Sequence, residues 1–100
     1  MIVKIHNSPD GKKIIAICDA EILGKRFEDG KKQLDLSSRF YEGKTMTEED
    51  ILKNSEKCSF HINAVGEKSI SFCIKQGFVD KDNVMHIAGV PYAQAVIIRG

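Results

Sequence analysis

The sequence lacks the motifs that most catalytic and metal-binding proteins carry. It contains no tryptophan, two prolines and three cysteines, and the cysteines form no CxxC pair. No P-loop, GxSxG, HExxH or GxGxxG pattern occurs, so nothing indicates nucleotide, acyl-transfer, zinc-protease or dinucleotide chemistry. The sequence therefore favours a non-catalytic protein, and we expect it to use no cofactor.

Long apolar runs are absent as well. The longest, residues 14–18, is far too short to cross a bilayer, and residues 1–6 lack the apolar core of a secretory signal. We therefore expect a cytoplasmic protein with no membrane partner. Cys18, Cys58 and Cys73 are odd in number and widely spaced, which favours reduced and mostly buried thiols over a disulfide framework.

The chain also has little net charge. Its 100 residues carry a formal charge of +1, with 42% hydrophobic and 29% charged side chains. This composition is typical of a globular protein, and a chain of this length can bury a core of its own, so residues 1–100 are predicted to form one domain. The near-neutral charge argues against a dedicated nucleic-acid binder but is compatible with a local basic patch on the folded surface.

The start of the chain is predicted to be a β-hairpin. Residues 2–6 and 12–18 have strand character, and residues 7–11 between them carry a strong turn signal. The second strand is apolar almost throughout. It is therefore predicted to lie in the centre of a sheet that is covered on both faces.

A helix is predicted next. Asp19 is a suitable N-cap for a helix over residues 19–27, with basic residues near its end and Gly30 just beyond as the stop. Two strands are then predicted, at residues 32–36 and 44–46.

The clearest helix start lies near the middle of the chain. Thr47 followed by three acidic residues has the form of a capping box, and acids in a first turn are explained by the helix dipole without a bound cation. The helix is predicted to run toward Phe60. Residues 59–63 fit either its continuation or a short extended segment, and the sequence leaves both alternatives open.

The last part of the chain is predicted to hold a third helix and two strands. The helix begins at Asn63 as N-cap and stops at Gly77, and the strands cover residues 83–87 and 93–98. Strands and helices in this order predict an α+β fold. We expect a mostly antiparallel sheet of about five strands with three helices packed on one face.

The start of the third helix is the first candidate binding site. Ala64 and Gly66 leave the backbone approachable where helix N–H groups point outward. The amides around Val65 and Gly66 are therefore predicted to donate hydrogen bonds to a phosphate, with Lys68 adding positive charge. Residues 62–70 resemble, in part, the hairpin of helix-hairpin-helix motifs, which hold nucleic-acid phosphates. The alternative is a capped helix, with Asn63 as its cap, in which Gly66 only allows close packing.

The connection at residues 89–94 is a second candidate surface. Gly89 allows an unusual backbone conformation, while Tyr92 and Gln94 present an aromatic ring and an amide that suit a base or a peptide. The alternative is a hairpin turn with a packing tyrosine.

Cys58 and His61 are spaced like a pair of metal ligands. Zinc sites usually carry two such pairs, and a second pair is missing here, although Cys18, Cys73, His6 and His86 offer single ligands. We therefore predict no metal site. The same two residues are also the candidates for a nucleophile and base in a small enzyme.

Six short groups of residues, spread nearly end to end, carry a resemblance to one family. They are Cys18-Asp19, Leu23-Gly24-Lys25, Leu34-Asp35, Phe40-Tyr41 with Gly43, Asn63 with Val65-Gly66-Glu67, and the residues from Gly89 to Gln94. Together they resemble domain-of-unknown-function family 424, small archaeal proteins. Tyr92 stands where that family more usually has histidine, and Ala64 where leucine is common. The resemblance implies an archaeal, cytoplasmic source and no known activity.

Three functions follow from these patterns. The first is a binding module for RNA or a ribonucleoprotein, which holds phosphate through the helix start at residues 63–68. The second is a structural adaptor that binds another protein. The third is a small enzyme that uses Cys58 and His61.

Overall fold

In a computed structural model, which describes residues 1–56 and 58–99, the chain forms a six-stranded sheet, a separate two-stranded hairpin and two α-helices. The elements are β1 (Ile2–Asn7), β2 (Lys13–Cys18), β3 (Arg26–Asp29), β4 (Lys32–Asp35), β5 (Lys44–Thr45), α1 (Glu48–Ser55), β6 (Phe60–Val65), α2 (Glu67–Lys75), β7 (Met85–Ile87) and β8 (Val90–Ile97). Short 3₁₀ turns lie at Ala20–Ile22, Arg39–Tyr41 and Lys81–Asn83.

The large sheet is mixed. Its strand order is β5-β1-β2-β6-β8-β7, and all neighbours are antiparallel except β2 and β6, which run parallel. The predicted hairpin of β1 and β2 is confirmed, with Val3 opposite Ile17. The predicted central position of β2 is also confirmed, because its last four residues are buried between β1 and β6.

Each face of the sheet has its own hydrophobic cluster. The main core packs α1 and α2 against one face, where Ile15, Ile62 and Phe72 are buried. On the opposite face a smaller cluster centres on Cys18, Leu36 and Val65 and lies beneath the β3–β4 hairpin. Beside it on the same face, the turn Arg39–Tyr41 packs over β1 and β2, and Ala16 there is fully buried.

The predicted architecture was wrong beyond its α+β class. Residues 1–56 and 58–99 contain two α-helices instead of three, and the main sheet has six strands and a parallel pair instead of about five mostly antiparallel strands. Lys57, within the predicted helix toward Phe60, and Gly100, the end of the predicted domain, lie outside the described residues.

The helix predicted for residues 19–27 is replaced by a turn and a strand. The turn Ala20–Ile22 ends before Gly24, whose φ of +88° breaks any helix, and β3 then pairs with β4 through a tight turn in which Gly30 has φ +62°. Gly30 is the first of the two turn residues between Asp29 and Lys32, which is the position where a two-residue hairpin turn favours glycine. Cross-strand pairing of this segment therefore outweighs its helical periodicity.

Helix α1 begins as predicted and ends early. The Thr47 hydroxyl accepts from the Asp50 amide at 3.1 Å, and the Asp50 carboxylate accepts from the Thr47 amide at 3.3 Å, which is the reciprocal capping box. The helix ends at Ser55, and the undecided residues 59–63 are mainly extended because Phe60 begins β6.

Asn63 lies in the middle of β6, so its predicted role as a helix cap is wrong. Helix α2 instead follows Gly66, whose φ is +106°. The predicted stop is confirmed: Gly77 has φ +76°, and the Phe78 amide donates to the Cys73 carbonyl at 2.9 Å. Ile70 and Cys73 of α2 are buried, whereas Ile74 is 38% exposed.

The predicted connection at residues 89–94 is mostly strand. The turn between β7 and β8 consists of Ala88 and Gly89, both with positive φ, and β8 already begins at Val90. Two consecutive positive φ angles are the requirement of the tightest antiparallel hairpins.

Among the described residues, neither helix has the length and apolarity needed to cross a membrane.

Candidate functional site

The N-terminus of α2 is capped by a carboxylate from a distant part of the chain. Asp19 follows β2, and the parallel pairing of β2 with β6 brings it beside the start of α2. Its carboxylate accepts from the Lys68 amide at 3.0 Å, the Ser69 amide at 2.8 Å and the Ser69 hydroxyl at 2.7 Å. Asp19 is 6% exposed and Ser69 is fully buried. The negative charge that this helix end attracts is thus supplied internally.

Two further residues whose amides were predicted to bind phosphate are hydrogen-bonded within the chain or buried. The Gly66 amide donates to the Pro91 carbonyl at 2.8 Å, and Val65 is buried within β6. A Cβ placed on Gly66 would lie 2.3 Å from the Asp19 carboxyl carbon, so Gly66 serves the close packing that was the alternative interpretation. The geometry of this helix end does not support direct phosphate binding.

A cleft of about 280 Å³ brings together part of each predicted site. Gly66, Lys68 and Gly89 all line it, but so do Asp19 and Glu21, and Glu67 adds a third acid. The Lys68 ammonium forms a hydrogen-bonded ion pair with Glu21, which lowers the pKa of that carboxyl and raises the pKa of Lys68. The cleft is therefore acidic on balance, which disfavours an anion.

Asn63 and Gln94 meet on the sheet face opposite the helices. Phe60, Ile62 and Ala64 belong to the helical core, so the alternating side chains of His61 and Asn63 point to the other face. Asn63 pairs with Gln94, and His61 with Val96. We call the surface formed by His61, Asn63, Gln94 and Val96 the open face. Asn63 is half-buried and the other three are exposed.

The Asn63–Gln94 pair is a close one. The Gly66–Pro91 bond directs the Pro91 carbonyl toward β6, and alternation along β8 then directs the Gln94 backbone away from β6. A pair without backbone hydrogen bonds between its members has its side chains closer together, so the two amide side chains are neighbours on the open face. Tyr92, two residues before Gln94 on the same face of β8, is half-buried against the smaller cluster. Its hydroxyl donates to the Met85 sulfur at 3.8 Å.

A basic groove borders the open face on its β1 side. Lys4 lies in the same cross-strand row as Ala16, Asn63 and Gln94. The groove is lined by Lys4, His6, Arg39, Phe40, Glu42, Gly43 and Lys44. It thus holds three permanent positive charges against one negative charge.

Phe40 is held at this groove by His6. The two rings stack with centroids 4.6 Å apart and an interplanar angle of 15°, and the His6 Nε2 donates to the Phe40 carbonyl at 2.9 Å. Phe40 also contacts Tyr41 edge-to-face. Tyr41 itself packs against the smaller cluster, where burial raises the pKa of its hydroxyl to about 12.

Cys58 and His61, the candidates for a nucleophile and base, lie just before and just inside the start of β6. Cys58 is half-buried before β6, and His61 belongs to the open face. Within residues 1–56 and 58–99, no group of three His, Cys, Asp or Glu residues is placed to hold a metal.

The family is decided by comparison of the whole sequence. The family described as "Protein of unknown function (DUF424)" matches residues 6–98. The chain belongs to the DUF424 family. This confirms the resemblance seen in the sequence.

This DUF424 chain is also similar to one solved protein. That structure is described as an uncharacterized conserved protein from Methanopyrus kandleri; it is 27% identical, with a TM-score of 0.77 over 99% of this chain and 92% of the other. No curated protein matches the chain.

Asn63 and Gln94 were among the residues predicted from the sequence, but the groove beside them was not predicted. Lys4 and His6 alternate with Val3 and Ile5, which signals that they face away from the core. Phe40 carried no comparable signal, because its position over β1 depends on the fold.

Proposed function

We propose that this DUF424 protein is a non-catalytic module that binds single-stranded RNA across the open face and the basic groove. The observation that carries the proposal is the placement of the Asn63–Gln94 amide pair in one cross-strand row with Lys4, beside the exposed groove that holds Phe40. Ala16 separates Lys4 from Asn63 in this row and is buried, so an RNA strand that contacts both would pass over the turn Arg39–Tyr41, which packs on β1 and β2.

The amide pair suits the edges of unstacked bases. Each amide side chain offers both donors and an acceptor, so Asn63 and Gln94 can match a base edge in more than one orientation. A sheet face leaves room for bases that are splayed away from one another, which is how single-stranded RNA is commonly read.

The groove suits the backbone and a stacked base. Lys4, Arg39 and Lys44 supply charge for phosphates, while the Phe40 ring offers a surface on which a base can stack. The acidic cleft near Asp19 has the opposite charge balance. The basic groove is therefore the better place for the phosphates that the sequence analysis assigned to residues 63–68.

The first test measures the affinity of the full chain for short labelled RNA at low salt. We expect the double variant Asn63→Ala, Gln94→Ala to weaken binding about 30-fold, since two lost hydrogen bonds at about 1 kcal/mol each amount to that factor. Lys53→Ala is the matched control, because Lys53 is exposed on α1, on the other side of the sheet. Equal affinity of the double variant and the wild type would contradict the proposal.

A salt series tests the groove separately. On single strands each neutralised phosphate contributes about 0.7 to the slope of log affinity against log salt, so Lys4→Ala with Arg39→Ala should reduce the slope by roughly 1.4. An unchanged slope would remove the groove from the binding surface.

A further inference from the structure

The outer edge of β8 is only partly paired. β7 pairs with residues Val90 to Tyr92 alone, whereas β8 continues to Ile97. Since the Pro91 carbonyl points to β6, alternation directs the backbone groups of Gln94 and Val96 away from β6, toward the unpaired edge.

These edge groups have no partner within the described chain. No hydrogen bond from residues 1–56 and 58–99 reaches the backbone N–H or C=O of Gln94 or Val96 on that side. Buried backbone groups are almost always paired, so unpaired ones here indicate an edge that faces water. Val96 is 56% exposed, and Ile98, just beyond the strand, is 82% exposed.

The two ends of the sheet differ in how their edges are protected. At the other end, β5 has two residues, one of them Lys44, and short charged edges are a common way to prevent strand pairing. The unpaired part of β8 lacks protection by charge, because residues 83–98 contain no Asp, Glu, Lys or Arg. An uncharged, unpaired edge with exposed β-branched side chains is suited to receiving another strand.

We propose that the β8 edge binds the β8 edge of a second copy of this chain. Antiparallel pairing about a two-fold axis places Val96 opposite Val96 of the second copy, and Gln94 opposite Ile98. This register lies beyond Tyr92, so it does not displace β7. The two sheets become one continuous sheet with both open faces on the same side.

The segment suits a second copy of itself as the occupant. Val96 lies on the two-fold axis and is the residue that meets its own copy, and its apolar side chain there opposes no like charge. Each copy also covers the exposed Val96 of the other. The paired segment is short compared with the interface of a stable complex, so the dimer is expected to be weak and concentration-dependent.

Sedimentation velocity of the full chain tests this inference independently of RNA binding. Between about 10 µM and about 1 mM, wild type should shift from monomer to dimer, the range expected for a small interface. Val96→Lys and Val96→Glu should each raise the dissociation constant at least about fivefold, because each places like charges directly opposite one another. Mixing the two variants should restore a dimer.

Thr45→Lys, at the other edge, is the control and should dimerise like wild type. Circular dichroism checks that the Val96 variants fold, which the exposure of Val96 favours. A wild type that stays monomeric throughout, or Val96→Lys and Val96→Glu proteins that dimerise as well as wild type, would overturn the inference.

Discussion

Asp19 is the residue that joins the two halves of the chain. It follows β2, yet it caps a helix that begins almost fifty positions later, at Lys68 and Ser69. Because it is buried, its hydrogen bonds are not readily replaced by water. Its carboxylate therefore both fixes the helix position and excludes an external anion from that helix end.

Replacing Asp19 should destabilise the fold without removing RNA binding. We expect Asp19→Ala to lower the free energy of unfolding by about 2–3 kcal/mol, because buried donors at Lys68 and Ser69 lose their acceptor. Asp19→Asn keeps one acceptor oxygen and should lower the free energy of unfolding by less. Urea denaturation measures both, and equal stability of Asp19→Ala and wild type would refute the capping role.

The buried thiols give a prediction for pH. Burial raises the pKa of Cys18 and of Cys73 from 9.0 to about 12. A raised thiol pKa stabilises the folded state below about pH 9, and this contribution is lost as the pH rises toward 12. At pH 8 a thiol reagent should therefore label half-buried Cys58 first, with Cys18 and Cys73 reacting only on unfolding. Fast native-state labelling of Cys73 would contradict this.

At the scale of elements, the junction between β6 and α2 is the most constrained connection. Gly66 combines a φ of +106° with direct contact to Asp19, whereas Gly77 at the other end of α2 has φ +76° and open space around it.

The two glycines of α2 thus make a matched pair of variants. Gly77→Ala should cost about 1 kcal/mol from backbone strain alone. Gly66→Ala should cost clearly more, since its new methyl group overlaps the Asp19 carboxylate. Denaturant midpoints measure the loss of stability in each variant. Similar losses would mean that the Asp19 side chain moves aside at little cost.

Elements with local signals were predictable from the sequence. The capping box at Thr47 and the glycine stop at Gly77 each depend on residues within one or two turns, and both were predicted correctly. The helix predicted after Asp19 was wrong because β3 and β4 pair with each other through a turn that begins at Gly30.

The candidate site depended on contacts that the sequence does not display. Asn63 has the side chain of a helix cap, but pairing with Ala16 and Gln94 makes it a strand residue. The parallel pairing of β2 with β6 joins segments far apart in sequence, and only this pairing brings Asp19 to α2. The residues predicted to bind phosphate could thus be identified from their local sequence, but the groups that contact them are determined by strand pairing in the sheet.

At the scale of the whole molecule, folding separates charges that are mixed along the sequence into an acidic and a basic surface. The net charge of +1 conceals an acidic cleft at one end of the sheet and a basic groove along β1. Pairing of two β8 edges would place two open faces side by side and lengthen the surface available to one RNA strand. RNA binding itself requires only one copy.

Amide chemical-shift mapping on ¹⁵N-labelled protein tests the RNA proposal most directly. On titration with short single-stranded RNA at low salt, the amides of Phe40, Asn63 and Gln94 should move, and they should move less at moderate salt. Lys53 on α1 should stay in place. If the open face and the basic groove show no shifts, or if the shifts are confined to the helices, the central claim is contradicted.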